Sequence, residues 1–243
     1  MSKSVIRRMY DSNFATRIFK GTGIDIGGFP DPLTLYLEFF PLITTLQVWD
    51  IKDGDAQFMD NISDEFFNFV VSSHCLEHLN DPFEGLKNWF RIIKPSGYLV
   101  VTVPDEDLYE QGIWPSNKNY DHRFTFTINK NRSWSANSIN VIDLIHSLGN
   151  LAEIKKIELL DRTHRFNFPK FDQTLTPLSE SGIEIIIRKR TLEELGNFTN
   201  QVVEPKKADR ELNRYLNQYA QDQKTLREHS LAVPPFQIES EVI

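Results

Sequence analysis

The side chains best suited to chemistry are concentrated in residues 72–82, a polar stretch that contains His74, Glu77 and His78. An apolar run precedes it, and an amphipathic segment and a second apolar run, residues 98–103, follow it. This order of strand, polar loop, helix and strand is typical of a βαβ unit. Because open α/β sheets bind ligands at the carboxyl ends of their strands, we predict that this stretch forms the middle of an active site.

Histidine is the natural general base for such a site, because its unperturbed pKa of about 6.5 lets it accept a proton near neutral pH. His74 is nearest the strand end and is favoured as the base together with His122, which follows Asp121 in a later polar loop. His78 is a further candidate base, although its role in the hydrogen-bond scaffold of its own loop is favoured. The pair of Asp121 and His122 is equally compatible with a loop anchor. His164 is the remaining candidate base.

The spacing of His74 and His78, four residues apart with Glu77 between them, also resembles a metal-binding pair. This loop supplies no third ligand, so we expect no metal. Cys75 is the single cysteine of the chain, which excludes a disulfide framework and a cysteine-cluster metal site. We expect it to be a small packing residue rather than a nucleophile.

A nucleotide-type site is predicted near the start of the chain. Residues 24–26 alternate like a strand around Asp25, and Gly27 and Gly28 follow. Glycines allow the backbone to approach a ligand closely and to adopt positive φ, although a plain turn would also explain them. Asp50 follows the next strand at the position where nucleotide-binding α/β folds hold a ribose diol. Its two carboxylate oxygens can accept from both hydroxyls; a solvated strand end is the alternative.

The segment 53–57 lies only a few residues after Asp50. Asp55 and Gln57, on either side of Ala56, are placed to hydrogen-bond an adenine edge if a third strand ends there. No room remains for a helix after Asp50, so we predict that the second crossover is reduced to a turn.

Two polar and aromatic insertions are predicted to form the acceptor side of the site. Residues 105–134 are too long for an ordinary loop of a compact domain, and such loops are usually functional. Residues 161–181 separate the strand 151–160 from the last strand, 183–187, which we expect to be an antiparallel edge strand. Arg123 in the first insertion and Arg165 in the second suit bidentate binding of an acceptor phosphate; simple solvation at the surface is the alternative. The predicted substrate-binding residues are Tyr120, Arg123, His164 and Arg165; Trp114 and Trp134 are placed to stack on a ring.

The bulk composition indicates a soluble globular protein. The chain has 243 residues, 40% of them hydrophobic and 25% charged, with a formal net charge of −7. This charge argues against nucleic acid as the main partner. No apolar stretch approaches the roughly 20 residues of a membrane span and no signal peptide is apparent, so a cytoplasmic location is expected.

The character of the chain changes after residue 190. Residues 191–243 are polar and charge-rich, with helical spacing at Leu212, Tyr215, Leu216 and Tyr219. We predict two parts: a catalytic domain, 1–190, and a helical C-terminal extension, 191–243. The extension is expected to dock on the domain or on a second subunit of a homodimer.

Together these motifs resemble the class I methyltransferases that depend on S-adenosylmethionine. Residues 24–28 resemble the first motif of the family, Asp50 its ribose-binding acid, and residues 55–57 its adenine-side motif. Residues 72–82 resemble its fourth-strand loop, and residues 91–97 its Arg-x-Leu-Lys-Pro-Gly-Gly turn. Phe29 or Pro30 stands where the last glycine of the first motif is expected. The cofactor-binding residues implied by the resemblance are Asp25, Gly27, Gly28, Asp50, Asp55, Ala56, Ser73 and His74.

The resemblance implies a Rossmann-like, doubly wound and mostly parallel sheet, with an antiparallel edge strand, a reduced second crossover and a helical tail. It implies methyl transfer from S-adenosylmethionine, with S-adenosylhomocysteine as product and a small molecule as acceptor. Residues 121–127 are similar to a narrower group in sugar and capsular-polysaccharide biosynthesis, which implies O-methylation of a nucleotide-linked, heptose-type sugar. N-methylation of an amino sugar or other small molecule, a nucleotide-binding oxidoreductase or epimerase, and a non-catalytic methyltransferase-like module are the alternatives.

Overall fold

The computed structural model describes residues 1–128, 130–196, 221–225 and 227–228. Six strands form the central sheet, in the order β2-β1-β3-β4-β8-β7. All of them run in one direction except β8, which is antiparallel to β4 and to β7. The predicted fold class is therefore confirmed, with one correction: the antiparallel strand β8 lies inside the sheet, between β4 and β7, and β7 forms the edge. The strands are β1 Gly21–Ile26, β2 Ile43–Trp49, β3 Phe67–Ser73, β4 Ile93–Pro104, β7 Ala152–Leu159 and β8 Gly182–Lys189.

Within residues 1–196, a two-stranded sheet and four α-helices accompany the central sheet. Its strands, β5 and β6, pair in parallel. Asn140 caps the helix α3, residues Val141–His146, by accepting from the amide of Ile142. The elements are β5 Thr125–Thr127, β6 Ser138–Asn140, α1 Ser2–Met9, α2 Pro82–Arg91, α3 Val141–His146 and α4 Leu192–Gly196.

The link between β2 and β3 contains no crossover helix, as the sequence predicts. A short 3₁₀ helix, Ile51–Asp53, is followed by turns, and no strand forms at residues 55–57. Arg91 fastens this link to the end of α2 by donating to the backbone carbonyls of Met59 and Ile62. The chain therefore passes from one strand to the other over a compact turn.

The core lies on both faces of the central strands. On one face α2 begins at Pro82, with Asp81 as its N-cap, and buries Trp89 against the sheet. The indole nitrogen of Trp89 donates to the carbonyl of Ala56 at 2.8 Å. On the other face the rings of Phe14, Phe19, Phe40 and Phe69 pack together, with Phe19 5.0–5.3 Å from each of the others. Burial of side chains this large is the main stabilising contribution of such cores.

The helix α1 is fixed to the sheet by a buried ion pair. Arg8 and Glu184 on β8 are both fully buried, and Arg8 Nε lies 2.8 Å from Glu184 Oε2. Arg7 donates to Glu184 and to Glu180 from the same helix. Because the partner acid is more than 170 residues away in the chain, no local pattern predicts this pair.

The chain divides into two compact units, residues 1–196 and 197–243. The predicted helical positions Leu212, Tyr215, Leu216 and Tyr219 lie outside the described residues, so the homodimer through the tail stays a prediction. Within the described part of the chain, no helix has both the length and the apolar character needed to cross a bilayer.

Candidate functional site

The carboxyl ends of β1, β2 and β3 lie side by side. The Gly27 amide donates to the carbonyl of Trp49 at 2.8 Å, and Ser72 Oγ donates to the carbonyl of Ile26 at 2.9 Å. Gly27 has a φ of +71°, and a β-carbon added to it would lie 2.7 Å from Cys75 Cβ. The glycine turn after β1 is therefore pressed against the loop after β3, with no room for a larger residue.

Asp25 is a buried carboxylate beneath this turn. Its Oδ2 accepts from the backbone amide of Leu33 at 2.7 Å, and its Oδ1 has no hydrogen-bond partner among the described residues. Burial raises the pKa of Asp25 to about 6, although the Leu33 hydrogen bond acts in the opposite direction. Keeping this carboxylate buried therefore costs folding free energy. Acids whose pKa is perturbed in this way are concentrated at functional sites.

Asp50 lies next to the glycine turn, as the sequence predicts. Its Oδ2 accepts from the Phe29 amide at 3.3 Å, and its Oδ1 accepts from the Ile51 amide at 2.8 Å, which caps the 3₁₀ helix after β2. The carboxylate is half-buried and lies at the carboxyl edge of the sheet. It is therefore available to a ligand that approaches the turn.

The adenine-side prediction is wrong for Gln57. The carboxamide of Gln57 is buried, accepts from the Asp81 amide at 2.9 Å and donates to Glu84 at 2.5 Å. It holds the start of α2 instead of facing a ligand. Asp55 is exposed and Ala56 half-buried, and their contact with a cofactor stays a prediction.

Cys75 lies among three carboxylates of this edge. Burial raises the pKa of its thiol to about 12, and the charges of Glu77, Asp50 and Asp25 add to the effect. A thiol with this pKa is protonated at neutral pH, which agrees with the predicted packing role. The strand ends thus share a negative electrostatic environment.

His74 and Glu77 form the first part of a histidine–carboxylate cluster. His74 directly follows β3 with a φ of +56° and exposes its imidazole, whose Nδ1 lies 3.3 Å from Glu77 Oε1. Glu77 is fully buried in the 3₁₀ turn Leu76–His78. Burial by itself would raise its pKa, but the hydrogen bond and charge of His74 and the charges of His122 and His78 lower it below the ordinary value.

His122 and His78 complete the cluster from two sides. His122 is buried, with Nε2 3.8 Å from Glu77 Oε1 and Nδ1 2.7 Å from Oε1 of the buried Glu110. His78 Nδ1 lies 3.1 Å from the carbonyl oxygen of Asp121. The rings of His78 and His122 meet edge to face, with centroids 5.1 Å apart. The three predicted catalytic histidines are therefore neighbours in the structure.

Sequence reasoning missed Glu110 and the aromatic neighbour of His122. Glu110 ends the π-helical turn Glu106–Glu110 after β4, and the Tyr109 ring lies 5.2 Å from that of His122. No spacing rule links Glu110 to His122, twelve residues later. The π-helical turn that brings them together lies in a stretch whose sequence predicts a loop.

His164 lies apart from the cluster, in the second insertion. Its ring packs on Phe166 at 4.7 Å, and burial, helped by the charge of Lys118, lowers its pKa. The two insertions touch, since Gln111 Nε2 donates to the carbonyl of Phe171 at 2.9 Å. A cleft of about 340 Å³ lies between them. Its lining includes Trp134, His164, Arg165, Phe166, Phe168 and Lys170.

The other predicted substrate residues lie at the surface. Arg165 is exposed and its guanidinium stacks on Phe168 at 5.3 Å. Tyr120 is 87% exposed. Arg123 donates from its side chain to Asn80, and its amide donates to the carbonyl of Glu77 at 2.9 Å. Arg123 therefore fastens its loop to the loop after β3, a role the sequence does not reveal.

Comparisons with known proteins agree with this architecture. A family model described as a methyltransferase domain matches residues 11–142. A putative methyltransferase from Bacillus halodurans superposes with a TM-score of 0.51 at 12% identity, covering 77% of this chain and 99% of that one. The plantazolicin methyltransferase BpumL, in complex with SAH, gives a TM-score of 0.51 at 13% identity, covering 78% and 84%. At such identities the structures support the fold alone, and no curated protein matches.

Proposed function

The chain belongs to the methyltransferase domain family, and we propose that it transfers a methyl group from S-adenosylmethionine to a hydroxyl of a nucleotide-linked sugar. The observation that carries the proposal is the pairing of His74, exposed at the strand edge, with the buried carboxylate of Glu77. A sugar hydroxyl is a weak acid and needs a base if it is to attack. The pair supplies one at the edge where the cofactor is expected.

The strand ends fit the cofactor. Gly27 provides a turn with positive φ and no side chain, Asp50 a carboxylate for the ribose hydroxyls, and Asp25 a buried acid with an unpaired oxygen. When bound, S-adenosylmethionine supplies an electrophilic methyl carbon on a cationic sulfonium. The negative environment around Cys75 suits that cation. Asp55, Ala56 and Ser73 are proposed as further cofactor contacts.

His74 is proposed as the general base. Glu77 Oε1 lies on the Nδ1 side of its ring, so the Nδ1 proton points to the carboxylate and Nε2 is left to accept the acceptor's proton. The buried carboxylate also stabilises the imidazolium that forms. The catalytic work of the chain is then positioning plus one proton transfer.

The cleft between the insertions is proposed to receive the acceptor. Its cationic side chains, Arg165 and Lys170, suit a diphosphate, the imidazole of His164 offers a neutral hydrogen-bonding group, and Trp134 suits a base or sugar ring. Tyr120 is proposed to lie at its rim. The heptose-type acceptor and the surface-polysaccharide context rest on the resemblance of residues 121–127 alone.

The test is methyl transfer from labelled S-adenosylmethionine to a panel of nucleotide sugars, amino sugars and the corresponding free sugars. We expect product with a nucleotide sugar and none with its free form. Transfer only to an amino group, or only to acceptors without phosphate, would contradict the proposal. Calorimetry with S-adenosylmethionine and NAD separates methyl transfer from redox or epimerase chemistry.

A further inference from the structure

We propose that Glu77, His78 and His122 form a binding site for a divalent transition-metal ion. Their ligand atoms, one from each residue, lie within 4.8 Å of one another. The sequence pattern pairs His74 with His78 and supplies no third ligand; the fold instead groups His78 with Glu77, its neighbour in the loop after β3, and with His122 of the first insertion. The inference concerns binding and does not rest on the proposed acceptor.

The first argument is an unsatisfied buried carboxylate. Glu77 is 0% exposed; the His74 imidazole reaches only its Oε1, and Oε2 has no hydrogen-bond partner among the described residues. A buried charge that is only partly satisfied is costly, and in proteins such charges are paired or bind metals. The nearest side-chain nitrogens are those of imidazoles, His74 Nδ1 at 3.3 Å and His122 Nε2 at 3.8 Å from Oε1. A metal ion between Glu77, His122 and His78 would neutralise this charge.

The second argument is the spacing of the ligand atoms. Bonds of about 2.0–2.2 Å in a tetrahedral zinc site place ligand atoms about 3.4 Å apart. Glu77 Oε1 and His122 Nε2 are 3.8 Å apart, so a movement of a few tenths of an ångström brings them to that spacing.

The third argument is the set of oxygen acceptors behind the two imidazoles. Metal-binding histidines almost always donate their other ring nitrogen to a carboxylate or a carbonyl, which fixes the tautomer. His122 Nδ1 faces Glu110 at 2.7 Å, and His78 Nδ1 faces the Asp121 carbonyl at 3.1 Å. In both rings the proton is therefore assigned to Nδ1, and the Nε2 lone pair is left for a ligand.

The segments that carry the ligands are also held together. The amide of Arg123, next to His122, donates to the carbonyl of Glu77 at 2.9 Å, and the Arg123 guanidinium donates to Asn80 beyond His78. The site is thus built before any ion arrives. Two imidazoles and one carboxylate favour Zn²⁺, Co²⁺ or Mn²⁺ over Ca²⁺, which takes oxygen ligands only.

The test is metal binding by the full chain without a histidine tag, stripped with a chelator and titrated with Zn²⁺ and Co²⁺ by calorimetry. We expect one ion per chain and a rise in Tm with metal concentration. Visible absorption of the Co²⁺ form should report imidazole and carboxylate ligation. Uptake of Ca²⁺ instead, with the transition metals excluded, would overturn the proposal.

Substitutions locate the ion. Glu77→Gln, His78→Gln and His122→Gln should each weaken Zn²⁺ binding by more than about 100-fold, and Glu110→Gln by about 10- to 100-fold. His146→Gln, at an exposed histidine ending α3, should bind like the parent. His78 is half-buried, so His78→Gln is expected to fold even if the variants at the buried Glu77 and His122 do not. The metal affinity of His78→Gln then tests the site by itself.

Cofactor binding separates this proposal from the proposed function. A chain that binds S-adenosylmethionine but no transition metal, or whose metal survives both His78→Gln and His122→Gln, overturns the metal site and leaves the methyltransferase assignment intact. In that case the cluster serves as a hydrogen-bond scaffold for His74. A chain that binds the ion with one-to-one stoichiometry but shows no transfer to nucleotide sugars supports the site and contradicts the acceptor.

Discussion

Gly27 and Cys75 touch so closely that a β-carbon on the glycine would lie 2.7 Å from Cys75 Cβ and 2.9 Å from its sulfur. The contact joins the turn after β1 to the loop after β3. These are the two segments predicted to surround the methyl donor, so their spacing would set the shape of the proposed cofactor site.

Gly27→Ala is expected to damage both the fold and cofactor binding. The left-handed backbone alone costs a non-glycine residue about 1–2 kcal/mol, and the contact with Cys75 adds to it. We expect a loss of about 2–4 kcal/mol in the free energy of unfolding and a weaker affinity for S-adenosylmethionine, measured by urea unfolding and calorimetry. Adding Cys75→Gly, which removes the opposing β-carbon, should recover part of the loss. Equal stability of the single and double variants would contradict the contact.

The sequence predicted the residues at the carboxyl edge of the sheet only where local patterns, rather than contacts between distant parts of the chain, determine their positions. Gly27, Asp50 and His74 follow strands that alternate or run apolar, so local patterns placed them at one edge of the sheet. The prediction for Gln57 failed because its carboxamide hydrogen-bonds to Asp81 and Glu84. Only the packing of α2 determines these contacts.

The candidate site was predictable in part for the same reason. His74, Glu77 and His78 stand in one loop, and their types alone mark them. Their link to His122 and Glu110 depends on how the insertion 105–134 folds back. Sequence patterns do not encode such a return. The pair predicted from spacing was His74 and His78, and the grouping of Glu77, His78 and His122 in the proposed metal site came only from the fold.

Asp25→Asn should stabilise the protein and weaken cofactor binding. The pKa of Asp25 is raised from 3.8 to about 6 by burial, so the protonated form stabilises the fold below about pH 4 and this stability is lost as the pH rises to about 6. The amide stays neutral throughout. Urea unfolding should therefore show equal stability at pH 3.5 and an advantage of about 3 kcal/mol for the variant at pH 7. Calorimetry should show a weaker affinity for the cationic cofactor, and an unchanged affinity would remove Asp25 from the site.

The ion pair of Arg8 and Glu184 should dominate acid unfolding. Burial alone would raise the pKa of Glu184, but the charge of Arg8 and the hydrogen bond and charge of Arg7 lower it from 4.5 to about 2. The stabilisation is present above about pH 4.5 and is lost as the pH falls toward 2, on the order of 3 kcal/mol in all. Thermal unfolding in this range should show the loss in the parent. A flat profile between pH 5 and 2.5 would contradict it.

Removing one partner of this pair leaves a charge buried, which typically costs about 3–5 kcal/mol. Arg8→Met should therefore lower the free energy of unfolding by about that amount at pH 7. The matched control is Lys155→Met, which breaks the surface pair with Glu153 and should cost less than about 1 kcal/mol. Similar losses in both variants would mean that burial does not set the strength of the pair.

Kinetics of two variants should separate proton transfer from acceptor binding. His74→Ala removes the proposed base and is expected to lower kcat by about 10²- to 10⁴-fold, with the dissociation constant for S-adenosylmethionine nearly unchanged. Arg165→Ala removes a cation of the cleft between the insertions and should raise KM for a nucleotide sugar by about tenfold, with little change in kcat. Lys155→Ala, a cation on β7 outside the cleft lining, is the control for charge alone. If His74→Ala instead raises KM and spares kcat, His74 positions the acceptor, and the proton leaves by another route.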